Sequence, residues 1–198
     1  LKELEGMECE PFFARLLLRS MKQARYTTQC SGHFGLAAKY YCHFTSPIRR
    51  YPDLQIHRII KEHLRGKMTE AKIRHYAEIL EEVAGQSSAM ERRAEEVERE
   101  TVKMKKAEFM KQHIGEVMEG TILGVTEWGL YVELPNTVEG LVHVNSMRDD
   151  YYTYEKEKYR FVGDMTKKVY SMGQKVKVRV EQADIATKTV DFSLERED

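Results

Sequence analysis

The chain has 198 residues, 41% of them hydrophobic and 32% charged. That length suits one large domain or two small ones, and that composition excludes a fully disordered tail. Lys plus Arg and Asp plus Glu each number 32, but the zero net charge hides a split: net +5 up to Lys111 and net −5 from Gln112 onward. In chain order, Pro11 followed by Phe12 to Leu18 reads as a helix start, since Pro is tolerated in a first turn. Phe13, Leu16, Leu17 and Met21 would form its buried stripe. Thr27 to Gly35 reads as a polar loop, and Tyr40 to Thr45 as strand-like or irregular. Ser46-Pro47 reads as a capped helix opening, with the helix running to Arg65 and Gly66 ending it. Pro52 falls near its first turn. A second helix is expected over Thr69 to Val83. Gly85-Gln86-Ser87-Ser88 would separate it from a long charged helix over about Ala89 to His113.

The pattern changes at Ile114-Gly115. Glu116–Val125, Gly129–Leu134, Val138–Val144, Lys175–Gln182 and Val190–Leu194 are short β-rich runs divided by turn residues. Five such runs in about 80 residues predict a small barrel. Met147 to Met172, rich in Tyr and charge, reads as an inserted hairpin or loop. The fold class is therefore α+β, with domains at 1–112 and 113–198 and an insertion at 147–172.

The longest apolar run, Leu16 to Leu18, is too short to cross a membrane. Cys9, Cys30 and Cys42 are odd in number and lack metal-ligand spacing, which points to a reduced, cytoplasmic protein. No signal or transit segment is read at the start. The chain opens without Met inside what reads as folded sequence, so a piece of a longer protein is expected.

Two segments carry chemistry. Lys22 to Lys67 holds nine basic residues against Asp53 and Glu62, an electrostatic footprint for a polyanion or an acidic partner. Within it, Arg49 and Arg50 stand at a helix start, where unpaired amides and the helix dipole favour phosphate. A solvated basic face, or a structural pairing of Arg with Asp53, explains the same residues. In the β-region, alternation puts Leu130 and Val132 on one face and Tyr131 on the other. Trp128 can lean toward Tyr131 and form a stacking platform for bases. Core or rim aromatics are the plainer alternative. Ser46, His43 and Asp53 do not form a hydrolase triad, because no nucleophile elbow surrounds Ser46. His57 and His63, six apart, cannot share a metal as an i, i+4 pair could.

The run Gly120 to Leu134, followed by Glu139-Gly140-Leu141-Val142-His143-Val144 and Gly173 to Val180, resembles the S1-type RNA-binding domain over about residues 115–197. That resemblance implies a five-stranded oligonucleotide-binding barrel whose RNA face would be Trp128, Tyr131, His143, Asp184 and Lys188. Lys188 stands where the family often has Arg, and would act as a point charge on phosphate.

Phe44-Thr45-Ser46-Pro47-Ile48-Arg49-Arg50-Tyr51-Pro52-Asp53-Leu54, with His57-Arg58, resembles the signature that closes the catalytic domain of the ribonuclease II and ribonuclease R family. Leu18 to Tyr26 and Gly32 to Ala37 match it as well. The resemblance implies the C-terminal part of a processive, hydrolytic 3′-to-5′ exoribonuclease that releases nucleoside 5′-monophosphates. Arg49 would be its catalytic arginine, stabilising charge on the scissile phosphate. Arg50 and Arg58 would hold backbone phosphates or structure, and His57 would pack the helix. The Mg2+ of that family would be held by aspartates outside this chain, since Asp149-Asp150 does not match them; no metal ligand is assigned here. Single-stranded RNA is the implied partner, with the ribosome or RNA-decay factors as further candidates and no membrane. A non-catalytic RNA- or ribosome-binding module is the alternative.

Overall fold

The computed structural model describes Ala14, Leu17, Leu18, Ser20 and residues 21–195. The expected helix start at Pro11 to Phe13, and Leu16 of its stripe, lie outside the described residues. Leu17 and Met21, expected to be buried, are exposed. No helix among the described residues is long and apolar enough to cross a membrane. Contacts divide the chain into two compact units, one over Lys22–Glu98 and one from Arg99 onward.

The first unit opens with irregular chain to Arg50. Helix α1 spans Tyr51–Leu64, with Pro52 in its first turn. It starts four residues later than Ser46-Pro47 suggested, because residues 47–49 form a separate turn. The amides of Arg49 and Arg50 both donate to the Ser46 carbonyl, at 3.3 and 3.0 Å. Gly66, at φ +66, ends the helix as expected, in a conformation that costs a Cβ-bearing residue more.

Helix α2 runs unbroken over Glu70–Met110, 41 residues, or roughly 60 Å at 1.5 Å per residue. The expected break at Gly85 to Ser88 does not occur. A single Gly inside a helix costs only about 1 kcal/mol, and Ser88 has tertiary work. Its hydroxyl donates to the Ala84 carbonyl (2.8 Å) and accepts the Tyr26 amide (2.9 Å). Lys72 and Tyr76 of α2 both reach Glu62 of α1, at 2.6 and 3.2 Å.

In the second unit, β1 (Val117–Thr126), β2 (Gly129–Glu133), β3 (Glu139–His143), β7 (Lys175–Asp184) and β8 (Thr189–Leu194) close a barrel in the order β1-β2-β3-β8-β7. All five fall within two residues of the runs read from sequence. Only β3 and β8 pair in parallel. Alternation along the strands sends Ile122, Leu130, Val132, Val142, Val178, Val180 and Phe192 inward. The Phe192 ring occupies the space where a Cβ on Gly140 would stand. The end of α2 adds Ala107 and Met110, both fully buried, to the same core. A cut at residue 113 would strip these two from the barrel.

The stretch expected to be a hairpin or loop is a small antiparallel sheet of β4 (Tyr152–Glu155), β5 (Arg160–Gly163) and β6 (Val169–Ser171). Tyr152 packs its ring against those of Phe161 and Tyr170 in this sheet, and all three join the hydrophobic core of the barrel. Asp150 organises the neighbouring turn. It accepts the amides of Tyr151 (2.7 Å) and Thr166 (2.7 Å), the Thr166 hydroxyl (2.6 Å) and the Met165 amide (3.1 Å). The Thr166 hydroxyl and these amides hold its carboxyl at about 2. That lies below the ordinary carboxylate value of about 3.9. The stabilisation is therefore complete above the ordinary value and is lost as pH falls toward 2. Asp150→Asn is expected to lower the melting temperature at neutral pH and to flatten its decline in that acid window. An unchanged melting temperature at pH 7 would contradict this role for Asp150.

Candidate nucleic-acid interface

On the barrel, β2 presents two different faces. Leu130 and Val132 are fully buried, whereas Tyr131 is 41% exposed and Trp128, just before the strand, is 61% exposed. Trp128 is therefore not a core residue. Its backbone is still fixed, because its carbonyl accepts the Val144 amide at 2.9 Å. Gly129, at φ +152, lies opposite His143, and a Cβ there would collide with the Val142 carbonyl. This close approach of β2 to β3 explains the Trp-Gly pair: glycine lets the strands meet, and the indole stays outside.

Across the sheet, Tyr131 lies between Gly124 of β1 and Leu141 of β3. The missing side chain of Gly124 leaves one flank of the Tyr131 ring low. His143 is exposed. Its Nδ1 accepts the Asn145 amide at 3.1 Å, so in the neutral ring the proton sits on Nε2, which can donate. Trp128, Tyr131 and His143 are thus brought to one corner of the β2–β3 pair.

Asp184 and Lys188 flank the β7–β8 turn. Leu141 pairs with Asp191, so His143 lies two residues beyond that pair and Lys188 three residues before it. Asp184 accepts the Ala186 amide at 2.8 Å. That bond, with further ones from Thr187, holds its carboxyl below its ordinary value. Its visible role is to shape the turn. Lys188, at φ +60, places its Nζ 2.7 Å from Glu100 of α2. Glu100 also binds Lys103 at 3.0 Å. Lys188 first, then Lys103, bring the Glu100 carboxyl down to about 2. Sequence reasoning missed Glu100, since no local signal links residues 88 positions apart. A phosphate reaching Lys188 must share its ammonium with this carboxylate, or displace it, against like-charge repulsion. Glu100→Gln is accordingly expected to tighten single-stranded RNA binding severalfold at low salt. Equal affinities of Glu100→Gln and wild type would remove Lys188 from the RNA face.

The basic segment lies in the first unit. Arg49 is exposed, and its guanidinium has no hydrogen-bond or ion-pair partner among the described residues. Arg50 differs: its Nε (3.2 Å) and Nη2 (2.8 Å) both donate to Oδ2 of Asp53. This is the structural pairing raised as an alternative from the sequence. Asp53 is 0% exposed and also accepts the Ser46 amide at 2.8 Å. Burial works against its charge, but the Ser46 amide and the Arg50 guanidinium outweigh it and hold the carboxyl below its ordinary value. Arg58 is exposed, with its guanidinium 5.8 Å from the centre of the Tyr51 ring. His57 packs the helix: it stacks on Phe44 at 4.2 Å and its Nε2 donates to the Phe44 carbonyl at 2.8 Å.

A cleft of about 320 Å³ lies in the same unit, lined by Tyr26, His33, Tyr41 and His43 on one side and by Ile56 and Leu80 on another. The Tyr26 hydroxyl meets His43 Nδ1 at 3.0 Å and Glu91 at 3.3 Å. A carboxylate only accepts, so the hydroxyl donates to Glu91 and accepts from His43. Among the described residues, no group of three or more His, Cys, Asp or Glu is arranged to hold a metal ion.

Comparison with known proteins finds two families along the chain. Residues 1–66 match the RNB domain family, and residues 111–195 match the S1 RNA binding domain family. Ribonuclease R 1 of Lactococcus lactis subsp. lactis is 46% identical over 192 residues, which cover 97% of this chain and 24% of that protein. Ribonuclease R of Thermotoga maritima is 43% identical over 187 residues, covering 93% and 26%. Among solved structures, the apo form of Mycoplasma genitalium RNase R superposes with a TM-score of 0.87 at 29% identity, covering 98% of this chain and 30% of that one. The same protein in complex with ribose-methylated single-stranded RNA gives the same values. The chain thus spans about a quarter of the length of the curated relatives it matches. Its similarity to these ribonuclease R proteins takes in both its RNB-domain and its S1-domain segments.

Proposed function

We propose that this chain, matching the ribonuclease R family as it does, is the C-terminal part of a processive, hydrolytic 3′-to-5′ exoribonuclease that releases nucleoside 5′-monophosphates. One observation carries the reading: a single chain joins the RNB-family segment, with its exposed Arg49, to an S1-family barrel with an exposed Trp128 and Tyr131. Its domains would be residues 1–112 and 113–198, with Ala107 and Met110 of the first serving the core of the second.

Arg49 would contact the scissile phosphate and stabilise the charge that grows on its oxygens. Trp128 and Tyr131 would stack bases, and His143 would donate from Nε2. Asp184 and Lys188 complete that face by resemblance, with Lys188 exchanging Glu100 for a phosphate. Arg58, held at 3.5 Å by the Tyr51 hydroxyl and the Gln55 side-chain oxygen, is exposed and would meet a backbone phosphate from there. Arg50 is the weaker candidate, because Asp53 already neutralises it. Magnesium enters through the resemblance and would neutralise phosphate charge and activate water. The described residues do not form its site. A cytoplasmic location, and the ribosome or RNA-decay factors as partners, belong to the same proposal.

The lack of a metal-binding cluster among the described residues favours a second reading for the chain by itself, that of a non-catalytic RNA-binding module. Both readings are tested with labelled single-stranded RNA and magnesium. The chain alone is expected to bind without releasing mononucleotides, and the intact protein that carries it to release them. Metal-dependent release by the chain alone, with contaminating nuclease excluded, would refute the division of labour. Absence of RNA binding by the chain would refute both readings.

A further inference from the structure

We propose that Asp53 is the positioning residue for Arg49: one buried carboxylate staples both ends of the turn that carries Arg49, so that the backbone from which its guanidinium projects is fixed before RNA arrives. This rests on the reading of Arg49 as the phosphate-contacting arginine.

The geometry is specific. Asp53 sits in the first turn of α1 and is wholly buried. Its Oδ2 collects three N–H groups, from the Ser46 amide at 2.8 Å and from Nε and Nη2 of Arg50 at 3.2 and 2.8 Å. Ser46 and Arg50 are the two ends of the turn, also joined by the bond from the Arg50 amide to the Ser46 carbonyl at 3.0 Å. Pro47, Ile48 and Arg49 lie between them. Ile48 is fully exposed and Arg49 is exposed, so packing on the outer side does not hold the loop. What holds it is the carboxylate beneath.

Two consequences reach Arg49. The first is positional, because preorganised charge acts only where the developing charge will be. The second is electrostatic. Asp53 cancels the charge of Arg50, which leaves Arg49 as the uncompensated cation of the pair. Without Asp53, Arg50 would be released to compete for the same phosphate in a different geometry. The other carboxylate oxygen, Oδ1, is buried with no hydrogen-bond partner among the described residues, so the staple acts through Oδ2.

The test uses the intact protein that carries this chain, with single-turnover cleavage and RNA affinity measured separately. Asp53→Asn is expected to slow the chemical step by about 10- to 100-fold, as displacement of a reacting group by about 1 Å can do, while affinity changes little. In an Arg49→Ala background the same substitution should cause no further slowing, since residues that act through one another are not additive. A folded Asp53→Asn protein with the wild-type chemical step would overturn the proposal. Equal slowing in the wild-type and Arg49→Ala backgrounds would also overturn it, by showing a merely structural role. Where circular dichroism shows that Asp53→Asn does not fold, Arg50→Gln replaces it in the same cycle. That variant removes the guanidinium donors and leaves the carboxylate on Ser46, and the same non-additivity is expected and the same additivity excludes the idea. If Arg49→Ala itself leaves the chemical step intact, the reading of Arg49 fails and this inference with it. If Arg49→Ala is slow and a folded Asp53→Asn is fast, only the inference fails.

Discussion

If Arg49 has the proposed role, Arg49→Ala in the intact protein that carries this chain is expected to lower the single-turnover rate by about 10²- to 10³-fold, roughly 2.7–4 kcal/mol, the range for removing one donor that meets transition-state charge. RNA affinity should change far less. A long RNA is held by many contacts, and a group that touches only the reacting phosphate contributes mainly as negative charge develops there. Arg49→Lys should recover little, because one ammonium cannot reproduce the two-point contact of a guanidinium. The neighbouring arginine supplies a control. Arg50 is bound to the buried Asp53, so Arg50→Ala should lower thermal stability by leaving a buried carboxylate short of donors. Two adjacent residues of one type are thus expected to give different phenotypes: slow chemistry without loss of stability at Arg49, and a loss of stability at Arg50, with any slowing there acting through Arg49. Single-turnover cleavage of labelled single-stranded RNA, with melting curves of the same variants, separates them. A wild-type rate in Arg49→Ala would withdraw its assigned role.

The contrast between these arginines also marks what the sequence could reveal. Their adjacency suits either a phosphate site or a structural pairing with Asp53, and nothing local says which arginine folding consumes; that is decided by Asp53 disappearing into the first turn of α1. The barrel was far more legible. Leu130 and Val132 alternate with Tyr131, and period-two burial is a property of the strand itself, so strand limits came within two residues. The helical region was less so. Gly85-Gln86-Ser87-Ser88 carries every local sign of a break, yet α2 continues through it, because Ser88 bonds back to Ala84 and out to Tyr26. Ser46-Pro47 carries every local sign of a helix cap, yet Asp53 draws the Ser46 amide into a turn and the helix begins at Tyr51. The Lys188–Glu100 pair was invisible for the same reason: it joins α2 to the β7–β8 turn through space. Features set by neighbours in sequence were readable, and those set by a distant partner were not.

Trp128→Ala and Tyr131→Ala are each expected to weaken single-stranded RNA binding by about 1–3 kcal/mol, the usual contribution of one base stacked on an aromatic ring. The double variant should approach the sum only if each ring holds a different base. His143→Ala should cost less, since it offers one donor and a smaller ring. The chain from Gln112 onward is net −5, so long-range attraction cannot be the main source of affinity on the barrel. Few phosphates would be neutralised there, and the logarithm of affinity should fall only gently with the logarithm of salt concentration. Sequence preference should be weak, because every base has a π-face. Stability is the discriminating control. Trp128 is 61% exposed and β2 fills the core through Leu130 and Val132 instead, so truncating the indole should leave the melting temperature close to wild type. If Trp128→Ala unfolds the barrel, the ring has a packing role that its exposure does not reveal. RNA titrations and melting curves of the full chain decide the matter: unchanged affinity in a folded Trp128→Ala, Tyr131→Ala double variant would mean that RNA binds elsewhere.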